Sequence, residues 1–270
     1  MKKSAPIGIF DSGIGGLTVA GAITRALPNE HTIYFGDTAH MPYGDKSPEL
    51  IKRYSVQIAD FLVSKGCKAI VIACNTASSL AYKEVVEHVG DLIPVINVIE
   101  PVAEYVTQHY PDKKIGVIGT KGTIGSGIYP KKIKKLNKSA NVTSLATPLL
   151  APMIEEGFYN NNISRTIINS YLSKKNIVDA DVVILACTHY PLIKKEIIQF
   201  YGKRAEVVDS SDVVAAYLDK VLRENNLLST AKTPGKHEFY VSDFTESFEK
   251  STKAFFGEKI DLNEVYLGGS

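Results

Sequence analysis

Cysteine is scarce: Cys67, Cys74 and Cys187 are the only three in 270 residues. Their number is odd and no CxxC spacing occurs, which argues against a disulfide framework and fits a reducing compartment. Long apolar runs are missing as well; none approaches the ~18–20 residues that a membrane span needs. The opening MKKSAPIGIF passes from two lysines straight into a strand-like run, without the apolar stretch or cleavage site of a secretory leader. A cytoplasmic protein without a membrane partner is the expectation. Neither sign of charge prevails: 31 Lys and Arg face 29 Asp and Glu, a net of +2. That balance argues against a dedicated nucleic-acid surface. The one basic run, Lys131, Lys132, Lys134, Lys135 and Lys138 with Ile133 and Leu136 between them, reads as the wet face of a helix. No segment is of low complexity.

What is present is an alternation of buried strands and amphipathic helices. Ile7–Phe10, Thr32–Phe35, Ala69–Ala73, Val95–Val98, Ile115–Ile118, Val142–Leu145, Val182–Ala186 and Glu206–Val208 have strand character. The clearest helix places Leu50, Ile51, Tyr54, Ile58, Phe61 and Leu62 on one face, with Ser47 as cap and Pro48 in the first turn. Such βαβα order predicts an α/β fold of mainly parallel sheets flanked by helices. After Lys232-Thr233-Pro234-Gly235 the expectation is a strand at Glu238–Val241, a helix over Phe244–Phe256 and a closing strand around Val265–Leu267.

Two apolar runs end in the same dipeptide, Ala73-Cys74 and Ala186-Cys187. Upstream, Ile7-Gly8-Ile9-Phe10-Asp11-Ser12 resembles Ile115-Gly116-Val117-Ile118-Gly119-Thr120, 67 and 72 positions before the respective cysteines. An internal duplication is expected, giving two pseudo-symmetric lobes with a site in the cleft between them. Residues 1–98 with 212–270 would form the first lobe, the tail packing back on it, and 99–211 the second. The plainer reading, that parallel-sheet strands resemble one another, stays open.

In such sheets ligands bind beyond the carboxyl ends of the strands. Asp11, Asp37, Cys74, Thr120, Cys187 and Asp209 all fall there. A helix starting just after a cysteine lowers its pKa, because free N–H groups and the dipole favour thiolate. Cys74 precedes such a helix, and Cys187 precedes Pro191-Leu192-Ile193. A small buried residue at a strand end is the plain alternative for each. Cys67 precedes its strand and is expected to be structural. The turns Asp11–Gly16 and Gly119–Thr123 offer backbone N–H groups to a carboxylate or phosphate; with no phosphate-loop lysine after the glycines, a carboxylate is preferred. Zinc on Cys74, Cys187 and His189 lacks a fourth ligand, so no metal is expected. A Cys–His hydrolase would leave one cysteine unused.

The strings GIFDSGIGGLTV, FGDTAHMPYGDKS, IACNTASSLA, GVIGTKGTI and ACTHYPLI resemble the cofactor-independent aspartate/glutamate racemases, and among them the bacterial glutamate racemases. The resemblance covers nearly the whole chain. It implies two α/β lobes and interconversion of L- and D-glutamate to supply D-glutamate for peptidoglycan, with no cofactor. It implies a two-base mechanism in which Cys74 deprotonates D-glutamate and Cys187 L-glutamate. Asp11 would flank the first thiol, His189 the second, with Glu155 near it; the adjacent Glu156 leaves that last choice open. Ser12, Asn75, Thr76, Thr120, Thr123 and Thr188, with Pro42, Tyr43 and Gly44, match groups that hold the substrate. Asp37 matches an acidic position of structural character. His40-Met41 departs from the family's usual basic-aliphatic pair. Family members are commonly dimers, so a homodimer is the expectation. A racemase of another acidic amino acid and a two-lobed binding protein without catalysis are the rival readings.

Overall fold

The computed structural model describes residues 2–91 and 93–267. Among them run ten parallel strands: β1 (Ile7–Asp11), β2 (Thr32–Gly36), β3 (Ala69–Ile72), β4 (Val95–Asn97), β5 (Lys114–Gly119), β6 (Asn141–Ala146), β7 (Val182–Ala186), β8 (Glu206–Asp209), β9 (His237–Val241) and β10 (Asn263–Glu264). Between them lie α1 (Leu17–Ala26), α2 (Pro48–Ser64), α3 (Asn75–Leu80), α4 (Tyr82–Val89), α5 (Ile99–His109) and α6 (Lys121–Gly125). Further along come α7 (Ile128–Leu136), α8 (Leu150–Glu155), α9 (Asn162–Leu172), α10 (Lys194–Tyr201), α11 (Ser210–Glu224) and α12 (Glu246–Phe256). None is long and apolar enough to cross a membrane among the described residues.

The strands form two sheets, ordered β10-β9-β2-β1-β3-β4 and β6-β5-β7-β8. Apart from β9 and β10 the two orders are the same. The register is the same too. Ile7 pairs with Ala69 and Ile115 with Val182, so Cys74 and Cys187 each lie five residues beyond the partner of the equivalent isoleucine. A parallel sheet carries every strand's carboxyl end to one edge, which places both cysteines at matching points.

Local sequence explains the elements. Ser47 accepts a hydrogen bond from the Leu50 N–H, and Pro48 opens α2, whose Ile51, Ile58 and Leu62 are buried. Asn161 and Ser164 close a capping box at α9. On α7, Ile133 is buried while Leu136 stands exposed beside the lysines. Alternate residues of β1 face opposite ways: Ile7 and Ile9 join a core shared with α1, α5, α11 and the second sheet, while Phe10 faces the helices α2 to α4. The larger core therefore runs continuously between the sheets, and α11 lies against both α1 and α5.

The tail differs in detail from expectation. Its helix starts at Glu246 rather than Phe244, because the Thr245 hydroxyl caps it by accepting from the Phe248 N–H. The final strand lies at Asn263–Glu264, where Asn263 pairs with Tyr240 and Glu264 with Val241; only the Val265 N–H extends the ladder, to Val241 O. Residues 1, 92 and 268–270, expected in the first lobe, lie outside the described residues.

Candidate active site

A cavity opens where the carboxyl edges of the two sheets meet. It is lined from the first sheet by Ser12, Pro42, Tyr43, Gly44, Cys74, Asn75 and Thr76, and from the second by Thr120, Glu155, Cys187, Thr188 and His189. Both cysteines are reduced and 5% exposed. Asp11 and Thr123 lie one layer behind the surface. Gly13, of the expected Asp11–Gly16 turn, also lines the cavity, as do Met41 and Ala151, which were not anticipated as site residues. Met41 lies inside the FGDTAHMPYG string, whereas Ala151 carries no sequence signal at all.

Cys74 is the N-cap of α3, and its sulfur accepts the Ala77 N–H at 3.4 Å while the thiol donates to Ser12 Oγ at 3.6 Å. Donation to the sulfur, as from the Ala77 N–H, favours thiolate, yet burial and the neighbouring Asp11 carboxylate outweigh it and push the thiol up to about 12. The lowered value expected from the helix terminus is therefore not found at Cys74. A short α3 of six residues offers a weak dipole, and full burial removes the solvation a thiolate needs. Cys187 departs in another way. The segment after it is not an α-helix but a single 3₁₀ turn, Tyr190–Ile193, with α10 beginning only at Lys194. The partner of its sulfur is instead His189 Nδ1, at 3.7 Å.

His189 is held on both nitrogens. Nε2 lies 2.8 Å from Glu155 Oε1, close but off the line of the ring N–H, so the contact is an ion pair more than an aligned hydrogen bond. Burial pulls the imidazole pKa down, but Cys187 and Glu155 outweigh it and raise it well above the ordinary value. Glu156, the alternative acid, is exposed at the end of α8. Asp11 is fully buried, and its Oδ2 accepts from Gly13 N at 3.2 Å and Gly16 N at 3.0 Å. Burial raises its pKa, against the opposing pull of His189 and of those N–H groups. Gly15 is required by close approach: a Cβ there would lie 2.5 Å from His189 Cε1 and 2.6 Å from Thr188 Oγ1.

Hydroxyls of the two sheets meet across the cavity. Thr76 Oγ1 lies 2.9 Å from Thr120 Oγ1 and 3.3 Å from Thr123 Oγ1. The Tyr129 hydroxyl donates to Asn75 Oδ1 at 2.7 Å, while Asn75 Nδ2 has no partner among the described residues. Such a fixed amide is a ready donor to a carboxylate. Thr120 caps α6, so the expected Gly119–Thr123 turn is the first turn of a short helix. Asp37 and Asp209 do not line the cavity. Asp37 accepts from the Tyr43 hydroxyl, from Ser242 Oγ at 2.8 Å and sits 2.8 Å from His40 Nδ1, pinning the Pro42–Gly44 loop from behind. Asp209 caps α11 by accepting from Ser211 N at 2.9 Å. Cys67 is buried at the opposite end of β3, against Gly8.

Known proteins resemble this chain in sequence and fold. The sequence model of the Asp/Glu/Hydantoin racemase family matches residues 14–218. The glutamate racemase of Geobacter metallireducens is 44% identical over 260 residues, covering 96% of this chain and 95% of its own. The crystal structure of glutamate racemase from Francisella tularensis subsp. tularensis SCHU S4 in complex with D-glutamate superposes with a TM-score of 0.92 at 39% identity, covering 98% of each chain. That of the Thermus thermophilus enzyme in complex with beta-chloro-D-alanine gives 0.88 at 36%, covering 99% of each. Fold and near full-length sequence similarity agree, and the chain belongs to the Asp/Glu/Hydantoin racemase family.

Proposed function

We propose that this protein is a glutamate racemase in which Cys74 and Cys187 act as the two acid–base groups, one on each face of the α-carbon. The choice of glutamate rests on relatives of that name at 37–44% identity over nearly their whole length. The single observation that carries the mechanism is that both sulfurs line one cavity from the same register position of two matching sheets.

With D-glutamate, the Cys74 thiolate takes the α-proton and the electron pair passes into the adjacent carboxylate. The Cys187 thiol then delivers its proton to the opposite face, leaving L-glutamate, a Cys74 thiol and a Cys187 thiolate. The reverse direction exchanges the roles, so each half-reaction prepares the enzyme for the other. An α-ammonium beside Cys74 brings positive charge that lowers the thiol from its raised value. His189, whose pKa Cys187 and Glu155 raise, stands beside the second sulfur.

Proton transfer by positioned groups supplies only ~10²–10⁴-fold, so the developing carbanion needs donors already in place. Asn75 Nδ2, the Thr76, Thr120 and Thr188 hydroxyls and Ser12 surround the cavity for that purpose. Asp11 stands behind Cys74, and the Pro42–Gly44 loop closes one side. The product, D-glutamate, would feed peptidoglycan synthesis in the cytoplasm, where the three cysteines stay reduced.

Incubating the purified protein with L-glutamate in D₂O under reducing conditions should yield D-glutamate carrying α-deuterium, with no cofactor added. Absence of both products refutes the proposal. Faster turnover of L-aspartate in direct competition would reassign the substrate and leave the two-thiol chemistry standing.

A further inference from the structure

The tail contributes a residue to the surroundings of His189. Phe255, in the last turn of α12, meets the imidazole in a T-shaped contact, ring centroids 5.4 Å apart and planes at 83°. Its helix is anchored away from the second sheet. Phe256 packs perpendicular to Phe239 of β9 at 5.0 Å and lies against Gly21 of α1. Thr245 caps the start of α12, and Gly257, at φ +106°, ends it in a conformation that favours glycine. The position of Phe255 is therefore set by the first sheet and its helices, while His189 comes just after β7 of the second.

His189 is 6% exposed. The groups facing it are Cys187 beyond β7, Glu155 of α8, Asp11 of β1 and Gly15 before α1; α12 adds the uncharged phenyl ring. Cys187 and Glu155 act on the nitrogens, and Gly15 crowds Cε1. The ring can keep Nδ1 toward Cys187 and Nε2 near Glu155 only over a narrow range of rotation, since the two nitrogens project from fixed corners of one plane. A perpendicular aromatic neighbour restricts that rotation, and such ring pairs prefer this geometry.

On the two-thiol mechanism proposed for the cavity, we infer that Phe255 is a positioning residue for His189, its ring holding the imidazole plane so that Nδ1 faces Cys187 and Nε2 faces Glu155. The C-terminal helix thereby connects the packing of the first sheet to the acid–base group of the second.

The test compares Phe255→Leu, Phe255→Tyr and, as a control from the same turn, Phe256→Leu. Two quantities are read: the imidazole titration of His189 by NMR in the resting protein, assigned with His189→Asn, and kcat and KM for L-glutamate. Phe255→Leu should move the His189 titration down, because alignment with the two groups that raise it is loosened. It should also lower kcat about 10-fold, part of a general acid–base contribution, and change KM less than about two-fold. Phe255→Tyr should restore both quantities. Phe256→Leu should lower the melting temperature while leaving both near the parent values. If Phe255→Leu loses stability yet keeps the parent titration and kcat, Phe255 is a packing residue only and the inference is wrong. Should Phe255→Leu not fold, Phe255→Met, which keeps a long apolar side chain without the flat ring, carries the same expectation and the same refutation. The titration needs no turnover, so an inactive parent protein counts against the proposed function, and an unmoved titration counts against this inference.

Discussion

Thr188 Oγ1 donates to Asp11 Oδ1 at 3.3 Å, joining residues 177 positions apart. Each stands at or just past the end of a central strand of a different sheet, and each is the neighbour of a residue that lines the cavity. Thr18 Oγ1 reinforces the junction by donating to Thr188 O at 3.0 Å. The two halves of the site are thus held together by buried hydrogen bonds near the reacting groups, where low solvent access makes each bond more valuable.

Replacing either cysteine with serine should abolish racemisation in both directions. A serine hydroxyl is too weak an acid and its alkoxide too basic to replace a thiol pair, and each direction needs both groups. Turnover of Cys74→Ser and of Cys187→Ser should fall by about 10²–10⁴-fold or more. Circular dichroism of the racemisation of each enantiomer measures this. Near-parental turnover by either variant in both directions would refute the two-base assignment.

Asp11→Asn should lower the pKa of Cys74, because burial is the first cause of its rise to about 12 and the Asp11 charge the second. The same values set the sign for stability. Between the ordinary thiol pKa of 9.0 and about 12 the folded chain keeps a proton that the unfolded chain has released, so parental stability falls across that window. In the variant the decline should still begin near the unfolded value of 9.0 but end at lower pH, so the total loss is smaller. Alkylation rate against pH, in a Cys67→Ser/Cys187→Ser background, reads the thiol directly. A midpoint unchanged or raised in Asp11→Asn contradicts the electrostatic account. Because burial also raises the Asp11 pKa, removing that charge should cost little stability near neutrality.

Lys68→Met should be strongly destabilising without touching the cavity. Lys68 is fully buried at the amino end of β3, donating to Glu30 and to Lys3 O, while Glu30 Oε1 accepts the Ser229 N–H at 2.6 Å. The pair ties three loops together at the edge opposite the site. Removing the lysine alone strands a buried carboxylate, which costs about 3–5 kcal/mol. Urea unfolding of Lys68→Met, compared with Lys68→Met/Glu30→Gln, measures the effect; the double variant should recover a substantial part. A loss in the single variant below about 1 kcal/mol, the scale of an exposed pair, would show the pair to be dispensable.

The sequence alone determined the succession of strands and helices, the parallel sheets, and the equivalence of the two Ala-Cys strand ends. These are local properties: apolar runs of strand length, helical periodicity, and caps such as Ser47 and Thr120 each act within a few residues. Slips came where local signals compete, as at Thr245 against Phe244 for the start of α12, or where Pro191 invites a helix that begins only as a 3₁₀ turn. Tertiary structure alone decided which acid meets His189, since Glu155 and Glu156 are adjacent in sequence but only one faces the imidazole. It also brought Phe255 to the same ring and raised the Cys74 thiol where the helix terminus would lower it. Burial and contacts between residues distant in sequence set those outcomes, because solvation and Coulomb forces depend on what surrounds a group in space, and no short segment of chain carries that information.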